Sequence, residues 1–108
     1  MISQFLFKNI DTDDEIRSTA NLALNRILEY APYDSTAVAV LEKVESGYRC
    51  SLDIYTRQGP FMTNVFRATC VEAIQAIEEK TMAQIKWWWT QRKAKIFSAD
   101  KYFLTPVS

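Results

Sequence analysis

The most extended hydrophobic pattern in the chain runs from residue 69 to residue 97. Apolar side chains recur there at spacings of three and four positions, at Val71, Ile74, Ile77, Met82, Ile85, Trp88 and Trp89. This spacing places them along one side of an α-helix. Thr69 and Glu72 have the spacing of a capping box, which marks the start of the helix. At about 100° per residue, Trp87 points away from Ile85, so we predict one long amphipathic helix with Trp87 outside its buried stripe.

A second amphipathic pattern lies near the N-terminus. It follows an alternating segment at 2–10 that predicts a strand with Phe5 and Phe7 on one face. Thr12 and Glu15 then have the spacing of another capping box. The apolar stripe of this helix consists of Ile16, Ala20, Ala23, Leu24, Ile27 and Ala31. Pro32 ends the helix, because the residue before a proline disfavours helical geometry.

Between the two helical patterns, turn residues separate three predicted strands. Residues 35–45 are rich in β-branched side chains, a Ser-Gly turn follows, and residues 48–57 alternate with Cys50, Leu52 and Ile54 on one face. The Gln-Gly-Pro turn at 58–60 leads to a strand at 61–68. For this last strand we predict Met62, Phe66 and Ala68 on the inner face, and Phe61, Thr63, Val65 and Arg67 on the outer face.

The predicted element order is β-α-β-β-β-α, which is an α+β fold. Because each helix has one apolar face, we expect both helices to pack side by side on one face of a four-stranded sheet and to leave the other face open. We predict a single domain at 1–97 and a C-terminal tail at 98–108. The tail contains Tyr102 and Phe103, and such aromatic content favours contact with the domain or with a partner.

Composition limits the classes of function. The chain has 108 residues, and its 13 basic and 13 acidic side chains cancel, so no overall positive field attracts nucleic acid. No apolar run approaches the roughly 20 residues of a membrane helix, and the N-terminus lacks the pattern of a signal peptide. We therefore expect a cytoplasmic protein with no membrane contact.

The inventory of reactive side chains predicts no catalysis, no cofactor and no metal. The chain contains no histidine and only two cysteines, Cys50 and Cys70. Cysteine–histidine catalysis and the common zinc sites are therefore excluded, and we interpret both cysteines as small apolar residues. The acidic group of Asp11, Asp13, Asp14 and Glu15 is typical of a helix N-terminus rather than of a catalytic site.

Several segments, taken in order, resemble one known family. Glu-Ile-Arg at 15–17 is similar to the family's first-helix opening, and Arg-Ile-Leu-Glu-Tyr at 26–30 to the end of that helix. Val-Leu-Glu-Lys-Val-Glu at 40–45 resembles a strand of the family, Ala-Ile-Gln-Ala-Ile-Glu-Glu-Lys at 73–80 its last helix, and Arg-Lys-Ala-Lys at 92–95 its basic helix end. The family is that of the ribosome hibernation-promoting factors, also called the Y-protein or sigma-54 modulation family.

The resemblance implies the fold predicted above and a function without catalysis. Members of this family bind the small ribosomal subunit in the channel used by messenger and transfer RNA, and so hold ribosomes inactive under stress. The positions that the resemblance assigns to contact with ribosomal RNA are Arg17, Arg26, Lys86, Arg92, Lys93 and Lys95. Basic side chains of this kind contact phosphates. Trp87 has no counterpart in the family, and we add it as a candidate for stacking on a base.

Other features favour an alternative of a different class. The first helix has fewer lysines than is typical of the family, the net charge is zero, and a basic helix end is also favoured by the helix dipole alone. The alternative is a protein-interaction or dimerisation module that keeps the fold without RNA binding. Its protein partner, or a second copy of the chain, would contact the open sheet face, Trp87 or the C-terminal tail.

Overall fold

The computed structural model describes residues 3–57 and 59–104, with side chains described as far as residue 91. Its elements are β1 (Gln4–Lys8), α1 (Asp14–Tyr30), β2 (Thr36–Val44), β3 (Gly47–Tyr55), β4 (Phe61–Arg67) and α2 (Cys70–Leu104). The predicted β-α-β-β-β-α order and the α+β class are confirmed.

The four strands form one sheet in the order β1-β2-β3-β4. β1 and β2 are parallel, because α1 carries the chain back across the sheet between them. The other two neighbouring pairs are antiparallel hairpins. At the first hairpin turn, a Cβ atom on Gly47 would lie 2.6 Å from the Arg67 carbonyl oxygen and 2.8 Å from the Phe66 ring. Glycine is therefore required there for close packing.

Both helices cover the same face of the sheet, as predicted. The sheet contributes to the core the buried side chains Ala37, Ala39, Leu41, Cys50, Leu52, Ile54 and Val65. The helices contribute Ala20, Ala23, Leu24, Ile27, Ala73, Ile74, Ile77 and Ile85. The small residues among them let the helices approach the sheet and each other closely, so one continuous core forms between the two layers.

The side-chain orientation predicted for β4 is wrong. Thr63 and Val65 are buried and Phe61 packs against the core, whereas Met62 is 58% exposed and Phe66 is also exposed. The reason is the antiparallel register, which pairs Val65 with the buried Cys50 and so turns it to the same face.

A hydrogen bond explains why a polar residue is buried in β4. The Thr63 hydroxyl lies 2.7 Å from the hydroxyl of Thr81, a residue of α2. Each buried hydroxyl therefore has a hydrogen-bond partner. Ala68, which we predicted to face inward, lies beyond the end of β4 and is exposed.

The N-terminus of α1 differs from the prediction by one residue. Asp13, not Thr12, caps the helix, and its Oδ1 accepts from the backbone N–H of Ile16 at 2.8 Å. The Thr12 hydroxyl instead accepts from Nε of Arg17 at 2.8 Å. A carboxylate is the stronger acceptor at the positive end of the helix dipole. The acidic group that opens α1 therefore has the structural role predicted for it.

α2 begins as predicted but extends further. The Thr69 hydroxyl accepts from the backbone N–H of Glu72 at 3.2 Å, and Glu72 Oε1 accepts from that hydroxyl at 3.1 Å. The predicted helix end was residue 97, whereas the helix reaches Leu104. No glycine or proline occurs between Cys70 and Leu104, so nothing in the local sequence interrupts it. Residues 105–108 of the predicted tail lie outside the described residues.

Candidate nucleic-acid interface

Arg17 and Arg26 lie on α1 and have different surroundings. Arg17 is exposed in the first turn, and among the described residues its side chain bonds to the Thr12 hydroxyl. Arg26 instead makes a two-pronged contact with Glu78 of α2, with Nε–Oε2 at 2.6 Å and Nη2–Oε1 at 2.8 Å. This bidentate geometry is the most favourable one for an arginine–carboxylate pair.

The Arg26–Glu78 pair connects the two helices across their exposed groove. The hydrogen bond to Glu78, and then the charge of Glu78, raise the pKa of Arg26 above its already high ordinary value. The guanidinium therefore remains charged, but its charge is compensated within the domain. A phosphate at Arg26 would have to compete with Glu78, a partner that the sequence pattern did not reveal.

Lys86 and Trp87 lie together on the outer side of α2. Lys86 is exposed, and Trp87 is 65% exposed, whereas Ile85 is fully buried. The orientation of Trp87 away from the core is therefore as predicted. A cation next to an exposed indole is a suitable combination for an unpaired nucleotide, because one group contacts the phosphate and the other stacks on the base.

The two tryptophans that follow fix the position of α2. Trp88 packs edge-on against Phe61 with ring centroids 6.0 Å apart, and against Trp89 at 4.7 Å. Nε1 of Trp89 donates to the Tyr30 carbonyl oxygen at 2.7 Å, which satisfies a carbonyl at the C-terminus of α1. These contacts fix the part of α2 that presents Lys86 and Trp87 against the rest of the domain.

The remaining predicted contact residues lie further along the same helix. Arg92, Lys93 and Lys95 belong to α2, but their side chains lie outside the described residues. The sequence from 81 to 97 contains four basic residues, Lys86, Arg92, Lys93 and Lys95, and no acidic one. The segment from 70 to 80 has the opposite balance, with three glutamates and one lysine. The basic part of α2 therefore begins at about the point where the tryptophans anchor it.

Of the four predicted contact residues with described side chains, two are consecutive in the sequence and both are exposed on α2. Lys86 and Trp87 are neighbours on α2, whereas Arg26 is engaged with Glu78 and Arg17 lies in the first turn of α1. The fold therefore concentrates the candidate interface on the second half of α2 and leaves α1 a smaller part in it.

The cysteines are not reactive groups. Cys50 is buried, and this burial raises the pKa of its thiol from 9.0 to about 12. Cys70 is half-buried at the start of α2, and burial also raises its pKa. A thiol that remains protonated is a poor nucleophile. Both residues therefore act as small apolar side chains, in line with the interpretation of the sequence.

Metal-binding clusters and membrane-spanning helices are both absent from the described part of the chain. No group of three or more histidine, cysteine, aspartate or glutamate residues there is arranged to hold a metal ion. Over the same residues, no helix combines the length and apolar character needed to cross a bilayer.

Comparison with known proteins gives results only at the level of structure. No protein-family model and no curated protein matches the chain in sequence. The Protein Y N-terminal domain of Thermus thermophilus superposes with a TM-score of 0.68 at 21% identity, covering 82% of this chain and 99% of that chain. A ribosomal subunit interface protein from Coxiella burnetii superposes with a TM-score of 0.70 at 11% identity, covering 83% of this chain and 99% of that one. The chain therefore has the fold of the Protein Y N-terminal domain, the fold that the resemblance in sequence implied.

Proposed function

We propose that this protein binds the ribosome and inhibits translation as a hibernation factor. In this proposal it contacts the rRNA of the small subunit near the channel for messenger and transfer RNA, and it acts in the cytoplasm. The observation that carries the proposal is the pairing of this fold with the acid-free basic segment at 81–97 on α2. Solved proteins with the same fold include one described as a ribosomal subunit interface protein.

The basic segment of α2 would supply the electrostatic part of binding. Lys86 and Lys95 are nine residues apart on one helix, or about 14 Å at the usual rise of 1.5 Å per residue. Cations distributed over this length contact several phosphates, displace counterions and position the protein without reading sequence. Trp87 would add stacking on an unpaired base. Binding of this kind needs neither a catalytic group nor a cofactor.

Co-sedimentation with ribosomes and with isolated small subunits tests this proposal. We expect the protein to pellet with the small subunit at low salt and to be released as salt increases. In the triple variant Arg92→Ala, Lys93→Ala, Lys95→Ala, three phosphate contacts are lost. The slope of log K against log salt should then fall by about 2 to 3 units, at about 0.7 to 0.9 per contact.

A matched variant separates a local effect from a loss of net charge. Lys8, Lys43 and Arg57 are exposed on strands or in a loop, and changing all three to alanine removes the same number of charges from outside α2. This control should pellet like the wild type. Absence of pelleting by the wild type even at low salt would contradict ribosome binding, and equal loss in both triple variants would contradict its location on α2.

The alternative function, an interaction module that has lost RNA binding, is favoured by two specific observations. Arg26 is neutralised by Glu78 inside the domain, and the chain as a whole carries no net charge. Association through apolar surfaces depends weakly on salt, whereas binding to phosphates depends on it steeply. The same salt series therefore distinguishes the two functions.

A further inference from the structure

A group of exposed aromatic side chains lies at the C-terminal end of α1. Tyr30, the last residue of that helix, is 52% exposed, and Tyr33, in the turn that follows, is 91% exposed. Trp89 of α2 contacts this end, because its Nε1 donates to the Tyr30 carbonyl oxygen, and it is still 39% exposed. We call these three side chains the α1-end surface. Exposed apolar surface that is grouped in this way marks a binding site, whereas apolar side chains scattered singly do not.

The turn that carries Tyr33 is held on both sides of that residue. Pro32 is buried, and its carbonyl oxygen accepts from the backbone N–H of Ser35 at 3.2 Å and from the Ser35 hydroxyl. Asp34 has a φ of 67°, and its Oδ2 lies 4.0 Å from Nη2 of Arg57. The Tyr33 ring is therefore presented to solvent from an ordered turn, which reduces the entropy lost when a ligand packs on it.

Lys86 lies between the α1-end surface and Trp87 around α2. Trp89 follows Lys86 by three residues, a spacing that makes two side chains neighbours on a helix. At about 100° per residue, Trp89 lies about 60° from Lys86 on the side of α1, and Trp87 lies about 100° from it on the other side. One cation therefore has an exposed indole on each side of it.

The end of α1 can supply stacking but not phosphate contacts. Residues 27–35 contain two acidic side chains, Glu29 and Asp34, and no basic one. Carboxylates repel a phosphate, so a phosphate that approaches this part of the molecule is directed to Lys86. A base is neutral and can lie on the aromatic rings of the α1-end surface without this penalty.

We propose that the α1-end surface is a second base-stacking site of the RNA interface. In this arrangement, which rests on the function proposed above, an RNA strand crosses α2 with a phosphate at Lys86. One base stacks on Trp87 and a neighbouring base on the α1-end surface. A base reaches an aromatic ring in this way only when it is unpaired. The RNA recognised is therefore a single-stranded segment of at least two nucleotides, not a duplex.

Fluorescence anisotropy with a labelled single-stranded RNA tests this site without the ribosome. The probe is an oligouridine of about 12 nucleotides, long enough to cover a typical single-strand site. Tyr30→Ala and Tyr33→Ala should each raise its Kd at least about fivefold, the effect expected when one stacked base loses its ring. The matched control is Phe66→Ala, because Phe66 is 46% exposed but lies beside Gly47 at the first hairpin turn. This control should leave Kd unchanged.

The dependence on salt and on the aromatic ring distinguishes stacking from other contacts. The tyrosine variants should keep the wild-type slope of log Kd against log salt, because they remove no charge, whereas Lys86→Ala should reduce its steepness by about 0.7. Tyr30→Phe and Tyr33→Phe keep the ring and should bind the oligouridine like the wild type. Binding to a duplex of the same length should be unaffected by Tyr30→Ala and Tyr33→Ala.

The possible outcomes separate this proposal from the proposed function. Failure of the wild type to bind the single strand at low salt would overturn the stacking site, whether or not the protein pellets with ribosomes. Equal Kd values for the wild type, Tyr30→Ala and Tyr33→Ala would also overturn it. If these two variants pellet less with small subunits but bind the oligouridine normally, the surface contacts a ribosomal protein instead. Tyrosine-dependent binding of the oligouridine without pelleting would support the stacking site and contradict ribosome binding.

Discussion

At the scale of single residues, the structure assigns a physical role to side chains whose type alone was ambiguous. Cys50 is a buried apolar residue, and the hydroxyl of Thr63 is paired with that of Thr81. Trp87 is exposed on α2, although the helix packs against the domain both before and after it. The sequence predicted the roles of Cys50 and Trp87. The burial of Cys50 follows from the alternation along its strand, and the exposure of Trp87 follows from its angle to Ile85 around the helix. The burial of Thr63 depends on a partner on α2, so no local pattern indicates it.

Cys50 gives a prediction for stability against pH. Its thiol has a pKa of about 12 in the folded protein against 9.0 ordinarily, so above pH 9 the unfolded chain loses this proton first. The contribution of the buried Cys50 thiol to the free energy of unfolding is complete below pH 9 and is lost as pH rises towards 12. Between pH 8 and 10.5, the free energy of unfolding in urea should therefore fall more steeply for the wild type than for Cys50→Ala.

The control for this measurement is Cys70→Ala, which removes the other thiol. Cys70 is half-buried, so we expect its removal to change the pH dependence less than Cys50→Ala does. Identical pH profiles for the wild type and Cys50→Ala would show that burial does not hold the Cys50 proton.

At the scale of elements, the central feature is the way α1 and α2 are joined. Ion pairing at Arg26–Glu78 and the bond from Trp89 to the Tyr30 carbonyl join the helices along their length. Both contacts link residues distant in sequence, so helical periodicity predicted the two helices but neither of these contacts. The consequence for function is that Arg26, a basic residue of α1, is compensated by Glu78 within the domain.

Glu78→Gln should therefore strengthen binding to the small subunit. Removing the carboxylate frees Arg26 for a phosphate, and we expect the slope of log K against log salt to become steeper by about 1. Glu79→Gln is the matched control, because Glu79 is exposed one position further along and makes no ion pair among the described residues. Ribosome co-sedimentation across a salt series measures both. Equal slopes in the two variants would mean that Glu78 does not restrain Arg26 from binding.

At the scale of the whole molecule, the described part of the core and the helix that covers it end at different residues. Among the side chains that the structure describes, Ile85 is the last fully buried core residue of α2, and Trp88 and Trp89 make the last ring contacts with the domain. α2 nevertheless continues to Leu104, and the greatest dimension of the molecule is 63 Å. The domain at 1–97 and the tail at 98–108 therefore remain a prediction that a truncation can test.

Removing residues 98–108 should leave the domain folded. We expect the free energy of unfolding to change by no more than about 0.5 kcal/mol, as is usual for changes outside a core. Removing everything after Lys86 should instead cost several kcal/mol, because the packing of Trp88 on Phe61 and the bond from Trp89 to Tyr30 are lost. Thermal and urea unfolding compare the two. A similar loss of unfolding free energy in both truncated proteins would place the domain boundary beyond residue 97.

The sequence by itself determined the order of elements and the faces of both helices. It did so because apolar residues repeat at helical spacing and because glycine and proline interrupt the chain at the turns. The alternation of Cys50, Leu52 and Ile54 likewise identified the inner face of β3. The cap of α1 and the end of α2 were misplaced, since several neighbouring residues have similar capping ability and the helix contains no residue that stops it.

Only the tertiary structure decided which face of β4 is buried and what surrounds each charge. Met62 and Phe66 are as apolar as Phe61 and Val65, so alternation alone permits either orientation; pairing with β3 selects one of them. The same pairing places Met62 on the open face beside Asp53, and the packing of the helices brings Glu78 to Arg26. Local periodicity tells which residues share a face, but the partner of that face is determined by contacts between residues far apart in the chain.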